Sequence, residues 1–159
     1  MPIGRGPANL PADLVIAVAA AARPLVMVWG RADGISQAQV SPPQLRALVA
    51  VGQHGSLNLS QLADELGVIP SSASRLCDRL VAAGLLDRRV SEQTRREVVL
   101  TLRREGQRLL DTVEHARREA LADVLGGMRL GGRKALLSGL EAFAEVVGQM
   151  VAEQDQWTA

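Results

Sequence analysis

Apolar residues recur every three or four positions along most of the chain, which is the spacing of one face of an α-helix. The first such stretch covers residues 11–31, and Pro24 is expected to kink or restart the helix because proline has no amide hydrogen to donate. Two stretches in the last third, residues 103–125 and the segment after Gly131-Gly132, each predict a long amphipathic helix.

Between these stretches, caps and stops predict three shorter helices. In "SPPQLRALVAVG", Ser41 and Gln44 suit a capping box, and Gly52 and Gly55 are expected to end the helix. In "LSQLADELG", Ser60 is the expected cap and Gly67 the stop. A further helix in "PSSASRLCDRLVAAG" follows at once. Two short helices joined by so tight a turn predict a helix-turn-helix.

The second helix of this pair has one apolar and one polar face when its residues are placed at 100° intervals. The inward face is expected to hold Ala73, Leu76, Cys77 and Leu80. The outward face holds Ser71, Arg75, Asp78, Arg79 and Ala82. Small and basic side chains suit insertion into a DNA major groove. An ordinary solvated face would look the same if this helix stood alone.

Two extended segments follow, "LLDRRV" and "EVVLTL", and their β-branched residues favour strands. The polar "SEQTRR" between them predicts the turn of a β-hairpin. Two arginines, Arg88 and Arg89, lie on the outgoing strand, and Arg95 and Arg96 lie at or just past the tip. A helix-turn-helix followed by a hairpin is a winged helix, so the predicted fold is mainly α with a small β-hairpin wing.

The charge distribution supports a polyanionic partner. The net charge is only +1, but residues 71–108 carry nine basic and five acidic residues, whereas residues 109–159 carry five basic and eight acidic ones. All basic residues except Lys134 are arginines, whose planar forks bind phosphates and base edges bidentately. A basic middle segment in a nearly neutral chain is typical of nucleic-acid binding.

The sequence offers no chemistry for catalysis. Its two histidines, His54 and His115, are far apart, and no metal-ligand cluster, nucleophile motif or phosphate loop is recognisable. We therefore expect neither an enzyme nor a cofactor. Cys77 is the only cysteine, so an intrachain disulfide is excluded, and its place on an inward face favours packing over redox sensing.

The N-terminal segment resembles a signal peptide only superficially. Its apolar run, Leu14 to Ala22, ends at Arg23-Pro24 and is by itself too short to span a membrane. An amphipathic helix in a cytoplasmic protein without a membrane partner is the favoured interpretation.

Three segments carry a resemblance to a known family: "VSPPQLRAL", "LSQLADELGVIPSSASRLCDRLVAAGLLDRR" and "TRREVVLTLRREGQRLL". Over residues 40–110 they resemble the MarR family of bacterial transcriptional regulators. The resemblance implies a single domain, residues 1–159, that forms a homodimer through helices in residues 1–36 and 104–155. A winged-helix lobe, residues 40–102, would bind a pseudo-palindromic double-stranded DNA operator.

The same resemblance implies roles for individual residues. The recognition helix would enter the major groove, the wing would reach the minor groove, and the contacts would come from Ser71, Ser72, Ser74, Arg75, Arg79, Arg88, Arg89, Arg95 and Arg96. A small aromatic or phenolic effector is implied near Met27, Trp29 and Arg46. For Trp29 the sequence itself favours a packing role in the core.

The chain departs from the family pattern at three positions. Thr94 replaces an aspartate that usually braces a wing arginine, and Glu92 or Glu97 is the candidate substitute. Ile69 replaces the usual Ser or Thr cap of the recognition helix, which is expected to delay the helix start to Ser71. Arg103 replaces a capping Thr after the wing, where Thr101 is the candidate substitute.

The resulting hypothesis is a homodimeric, sequence-specific DNA-binding regulator that a small effector releases from DNA. Repression is favoured over activation as its role. Two alternatives stay open. A winged helix can serve as a protein-interaction module without binding DNA, and a DNA-binding protein can act without any ligand.

Overall fold

Helices make up most of the chain, as the apolar periodicity predicts. The computed structural model describes residues 11–90 and 97–157. The chain divides into two compact units, residues 1–120 and 121–159. The elements in chain order are α1 (Ala12–Asp33), a 3₁₀ helix (Gly34–Ala38), α2 (Pro42–His54), β1 (Leu57–Asn58), α3 (Leu59–Leu66), α4 (Pro70–Ala82), β2 (Leu86–Val90), β3 (Val98–Leu102), α5 (Arg104–Gly127) and α6 (Leu130–Trp157).

Helix α1 is a single helix. Pro24 lies inside it, so the expectation that proline restarts the helix is wrong. The missing amide costs one backbone hydrogen bond, and the long helical stretches on both sides outweigh that cost. The helix ends at Asp33, and the following 3₁₀ turn is fastened by Ser36, whose buried hydroxyl donates to the carbonyl of Asp33 at 2.7 Å.

The apolar side chains of α1 are largely exposed in the protomer. Ile16 is 67% exposed and Val26 68%. Because Pro24 does not interrupt the helix, the segment Ala12–Ala38 is by length and composition apolar enough to cross a membrane, and an 18-residue stretch within it has a mean hydropathy of 1.7. The sequence-based exclusion by length is therefore wrong. The core helix of a soluble protein and an N-terminal signal sequence meet the same criterion, so one such helix is weak evidence for a membrane span.

The capping box of α2 is confirmed: the amide of Ser41 donates to Oε1 of Gln44 at 2.8 Å. The helix continues past Gly52 to His54 and stops at Gly55, the second of the two predicted stops, whose φ is +75°. Gly52 instead permits close packing, since a Cβ there would lie 2.9 Å from a methyl group of Leu110.

Helix α3 begins two residues earlier than the sequence suggests, and its cap is Asn58 rather than Ser60. The side-chain oxygen of Asn58 accepts from the amide of Gln61 at 2.8 Å, and the amide of Asn58 donates to the side chain of Gln61 at 2.9 Å. Asn58 also ends strand β1, so the same residue joins sheet and helix. Gly67 stops the helix in the left-handed conformation, as predicted.

One hydrophobic core holds the first unit together. It includes Leu48 and Val51 of α2, Leu62 of α3, and Cys77 and Leu80 of α4, each of them fully buried. This confirms most of the predicted inward face of α4; Leu76 is only half-buried. Burial raises the pKa of the Cys77 thiol, which keeps it protonated and suits a packing role.

The strands form a three-stranded antiparallel sheet in the order β1-β3-β2. The predicted hairpin is confirmed, with Leu86 opposite Leu102 and Val90 opposite Val98. Strand β1 was not predicted, because two residues are too few to show an alternating pattern. Its pairing of Leu57 with Leu100 ties the start of the helix-turn-helix to the wing.

The two C-terminal helices differ in what they bury. Helix α5 buries Leu109, Val113 and Ala116. Helix α6 begins at Leu130, so Gly131-Gly132 lies within it rather than before it. Its apolar residues are exposed within the described chain, among them Leu136, Leu137, Leu140, Phe143, Val146, Val147 and Met150.

The close packing of Gly106 in α5 against the backbone at Leu85 predicts that a larger residue would strongly lower stability. A Cβ on Gly106 would lie 2.2 Å from the backbone carbonyl oxygen of Leu85, which a side-chain rotation cannot relieve. Gly106→Ala should lower the free energy of unfolding by at least about 2 kcal/mol, measured by urea denaturation. The matched control is Gly34→Ala, where the φ of −54° is helical and nothing lies within 4 Å of the new methyl group. An unchanged midpoint for Gly106→Ala would contradict this packing.

Candidate nucleic-acid interface

The outward face of α4 is determined by what its inward face buries. Ala73, Cys77 and Leu80 are fully buried, so residues on the opposite side of the helix stand on the surface. The exposed residues there are Ser71, Arg75, Asp78, Arg79 and Ala82. Ser72 and Ser74 are half-buried at the flanks of this face. We call this set of exposed residues the recognition face.

The N-terminus of α4 lacks a side-chain cap. Ile69 occupies the N-cap position with no side-chain hydrogen bond, and it is 64% exposed. The helix nevertheless begins at Pro70, so the expected delay to Ser71 is wrong. Proline has no amide to satisfy at this first position, and the carbonyl of Ile69 accepts from the amides of Ser72 and Ala73 at 2.9 and 3.2 Å.

Of the two described wing arginines, Arg88 reaches back to the recognition face. Successive residues of a strand point to opposite sides of the sheet. Arg88 bonds through Nη2 to Oδ1 of Asp78 at 2.5 Å, which joins β2 to α4. Arg89 Nε lies 3.5 Å from Oδ2 of Asp87.

A second carboxylate serves two arginines at the base of the wing. Besides Arg89, Asp87 has Nη2 of Arg103 at 4.0 Å from its Oδ1. Each described arginine of the wing and its base therefore has an aspartate within 4 Å. Arg95 and Arg96, with Thr94 before them, lie outside the described residues, so their roles stay predictions.

Glu97 and Thr101 are the candidate substitutes for two side chains that the family usually has. Their hydrogen-bonding environments differ from those expected. Glu97, offered as a brace for the wing, accepts a hydrogen bond from the side-chain amide of Asn58. This bond anchors the base of β3 to the start of α3. Thr101 does not cap α5, because its hydroxyl is buried without a hydrogen-bond partner. That part of the expectation is wrong.

Sequence reasoning placed Asp78 on the outward face but missed its bond to Arg88. The two residues are ten positions apart, and only the turn at Gly84 and the path of β2 bring them together. A carboxylate among arginines on a predicted DNA-binding face is the one sequence signal that pointed to such a pair. The Asp87 pairs carry no comparable signal, because alternating charges on a strand are common on surfaces.

A cavity of about 400 Å³ lies beside the 3₁₀ helix, and α2, α3 and α5 also contribute to its lining. Arg46, one of the three residues predicted for an effector site, lines it, and Arg117 of α5 and Asp33 of α1 add charge to its wall. Leu45 and Val49 supply apolar surface. Met27 and Trp29 are absent from the lining residues.

Arg117 is the centre of a small cluster at this cavity. Its guanidinium donates to both carboxylate oxygens of Asp33, at 2.7 and 3.1 Å, and lies 5.3 Å from the ring centroid of Trp29. The hydrogen bond to Asp33 raises the pKa of the Arg117 guanidinium, so Arg117 stays charged. Trp29 is 43% exposed, so the packing role in the core that its sequence favoured is wrong for the protomer.

The histidines are both on the surface. His54 Nε2 lies 3.6 Å from Glu65, and His115 Nε2 lies 3.3 Å from Glu119 one helical turn away. Within the described ranges, 11–90 and 97–157, no group of three or more histidine, cysteine or acidic side chains has the arrangement of a metal site.

Comparisons with known proteins agree on one family. A model of the MarR family matches residues 38–97. The HTH-type transcriptional repressor MdtR of Bacillus subtilis is 31% identical over 93 residues, which cover 58% of this chain and 60% of MdtR. This chain therefore matches less than two thirds of the length of that relative.

Solved structures extend the similarity to nearly the whole chain. The crystal structure of RV1404 from Mycobacterium tuberculosis has a TM-score of 0.76 at 34% sequence identity, covering 88% of this chain and 97% of RV1404. A MarR family protein from Bacillus stearothermophilus has the same TM-score at 22% identity, with 88% and 99% covered, and supports the fold alone.

The named relatives are transcriptional regulators, in line with the expectation that this chain is not an enzyme. The chain belongs to the MarR family of winged helix-turn-helix transcriptional regulators.

Proposed function

We propose that this protein is a cytoplasmic, homodimeric regulator that binds a pseudo-palindromic DNA operator and represses transcription until a small aromatic or phenolic ligand releases it. The recognition face carries this proposal. It is exposed, it consists of small and basic side chains apart from Asp78, and Arg88 at the start of the wing lies directly beside it. A major groove admits a helix with such a face.

The contacts divide by chemistry. Ser71, Ser72 and Ser74 at the start of α4 suit hydrogen bonds to base edges and phosphates, and Arg75 and Arg79 suit guanine or phosphate. Among the wing residues, Arg88 and Arg89 would contact the sugar-phosphate backbone of the DNA. Arg95 or Arg96 at the wing tip would enter the minor groove, where a narrow A·T-rich groove concentrates negative potential.

The dimer is proposed from two apolar surfaces, one on α1 and one on α6. Ile16 on α1 and Phe143 on α6 are about two-thirds exposed, at 67% and 66%. Soluble monomers rarely leave such faces in water, and a second copy related by a twofold axis would cover each of them. Residues 1–36 and 104–155 would then form the dimerisation helices and residues 40–102 the DNA-binding lobe of one domain.

The effector is proposed from the cavity. Arg46 and Arg117 would bind an anionic group, while Leu45 and Val49 would pack against a ring. Asp33 and Arg117 join the end of α1 to α5. A ligand carboxylate that competes with Asp33 for Arg117 would loosen this joint, which offers a route from the cavity to the spacing of the recognition helices. Without a ligand the same protein would act constitutively.

Repression is the favoured direction of regulation, since MdtR is named a repressor. A winged helix that binds only protein is the remaining alternative. The arginines of the recognition face would then serve solubility and show no dependence on duplex DNA.

DNA binding is tested by fluorescence anisotropy on a palindromic duplex selected from a random pool, at several salt concentrations. Arg79→Gln should weaken binding and flatten the plot of log K against log salt by about 0.9, because one phosphate contact is lost. Arg95→Ala and Arg96→Ala should also weaken binding and leave the mass of the dimer unchanged. Arg118→Gln, on the exposed side of α5, is the control and should bind normally. The proposal fails if the wild type binds no duplex at low salt.

Dimerisation is tested by light scattering after size-exclusion chromatography. The wild type should have twice the chain mass of 16.9 kDa. Phe143→Glu should shift the population toward monomer, since it places a charge in the proposed apolar contact. Glu141→Gln in the same helix is the control. A wild-type protein that runs as a monomer, or that sediments with membranes, would contradict the proposed role of α1 and α6.

The effector site is tested by thermal-shift measurements with a panel of aromatic carboxylic acids and phenols. A ligand at one hundred times its Kd should stabilise the protein by about 2.7 kcal/mol, which raises Tm by a few degrees. Arg46→Gln should remove the shift, while Arg23→Gln, an exposed arginine away from the lining residues, should keep it. A uniformly flat response would favour the constitutive version.

A further inference from the structure

We propose that Asp78 determines the specificity of DNA binding by acting as an internal counter-ion for Arg88. The inference rests on the proposed DNA-binding function and adds a role beyond the direct contacts between arginines and DNA. In this role Asp78 holds Arg88 in one orientation, so that the arginine binds a phosphate only when the DNA lies in the correct position.

The geometry joins the two elements that would contact DNA. Nη2 of Arg88, on β2, bonds to Oδ1 of Asp78, on α4, at 2.5 Å. The side chains of Arg88 and Asp78 are 45% and 57% exposed, so both side chains are accessible from solvent. Because the bond runs between the recognition helix and the wing, the position of Arg88 depends on the position of α4.

The charge of Asp78 is unexpected at this place. It lies on the same face as Arg75 and Arg79, where a carboxylate repels the phosphates of any DNA that approaches. An exposed ion pair contributes little to the stability of the fold. Folding therefore gives no strong reason for an acid at this position, whereas discrimination between DNA sequences does.

The remaining donors of Arg88 explain how the pair can still bind DNA. A guanidinium carries five N–H donors in a fixed plane, and the bond to Asp78 occupies Nη2. The other donors can bind a phosphate while the bond to Asp78 persists, but only a phosphate that lies in the plane of the held fork. A phosphate elsewhere must pull Arg88 away and leave Asp78 without a counter-ion beside the DNA.

This difference separates correct from incorrect DNA sequences. On the operator, base contacts bring the backbone into the position that the held Arg88 accepts. On other sequences, the protein binds without a fixed position on the DNA. The contact between Arg88 and a phosphate is then either lost or formed only by breaking the ion pair with Asp78. Specificity gained by a penalty on the wrong partner is a common device of selective interfaces.

The test compares four proteins on two duplexes. The proteins are the wild type, Asp78→Asn, Arg88→Gln and the double variant, and the duplexes are a selected palindrome and a scrambled sequence of equal composition. Asp78→Asn frees Arg88 to bind any nearby phosphate, which is equivalent to one added phosphate contact. Its affinity for the scrambled duplex should rise about eightfold at 0.1 M salt, with a salt slope steeper by about 0.9. Its affinity for the palindrome should change by less than about threefold.

Two controls isolate the ion pair from plain charge removal. In the Arg88→Gln background, Asp78→Asn should leave both the ratio of the two affinities and the salt slope unchanged, because no arginine remains to be freed. Asp64→Asn changes the charge of an exposed aspartate in the neighbouring helix α3 and should affect both duplexes equally. Circular dichroism of each variant verifies that the fold is intact.

Each other result counts against the proposal. If Asp78→Asn weakens binding to both duplexes by the same factor, the pair only braces the wing. If it strengthens both equally, Asp78 is a simple repulsive charge without influence on specificity. If no variant binds either duplex at low salt, the proposed DNA-binding function itself fails, a result distinct from both of these.

Discussion

The burial of one side of α4 is the constraint on which the rest of this structure depends. Ala73, Cys77 and Leu80 are removed from water in a core that α2, α3 and the sheet share. Because a helix cannot rotate without exposing that side, the opposite side must face solvent with its serines and arginines. The strands that follow add a second anchor, since Leu86 and Leu100 are buried in the same core. Recognition helix and wing are thus held in one relative orientation by apolar packing.

Electrostatics then shapes what this rigid surface can do. The chain is nearly neutral as a whole, and its basic middle segment carries its own counter-charges, Asp78 and Asp87, at the base of the wing. A surface of uncompensated arginines would bind any polyanion, because counter-ion release rewards every phosphate contact. Arginines that are paired with aspartates lose part of that sequence-independent affinity. The affinity that remains depends on the geometry of each contact with DNA, and this geometry differs between one DNA sequence and another.

Apolar surface is distributed unevenly between the helices. The winged helix buries its leucines and valines within one protomer, whereas α1 and α6 leave theirs exposed. The two kinds of helix have similar apolar periodicity, so their sequences alone do not distinguish them. The difference arises from the availability of partners: α2, α3, α4 and the sheet cover one another, and only the first half of α5 joins their core. The proposed dimer rests on these uncovered apolar faces.

The sequence by itself determined the helices, the hairpin and the outward face of α4, because these follow from local periodicity, glycine stops and β-branched residues. It also assigned Asp78 to that face. Tertiary structure alone decided the rest. It moved the cap of α3 from Ser60 to Asn58, since a two-residue strand had to end there. It joined Arg88 to Asp78 and Arg117 to Asp33, 84 positions apart, because such contacts depend on how whole elements pack and on which rotamers the packing leaves open.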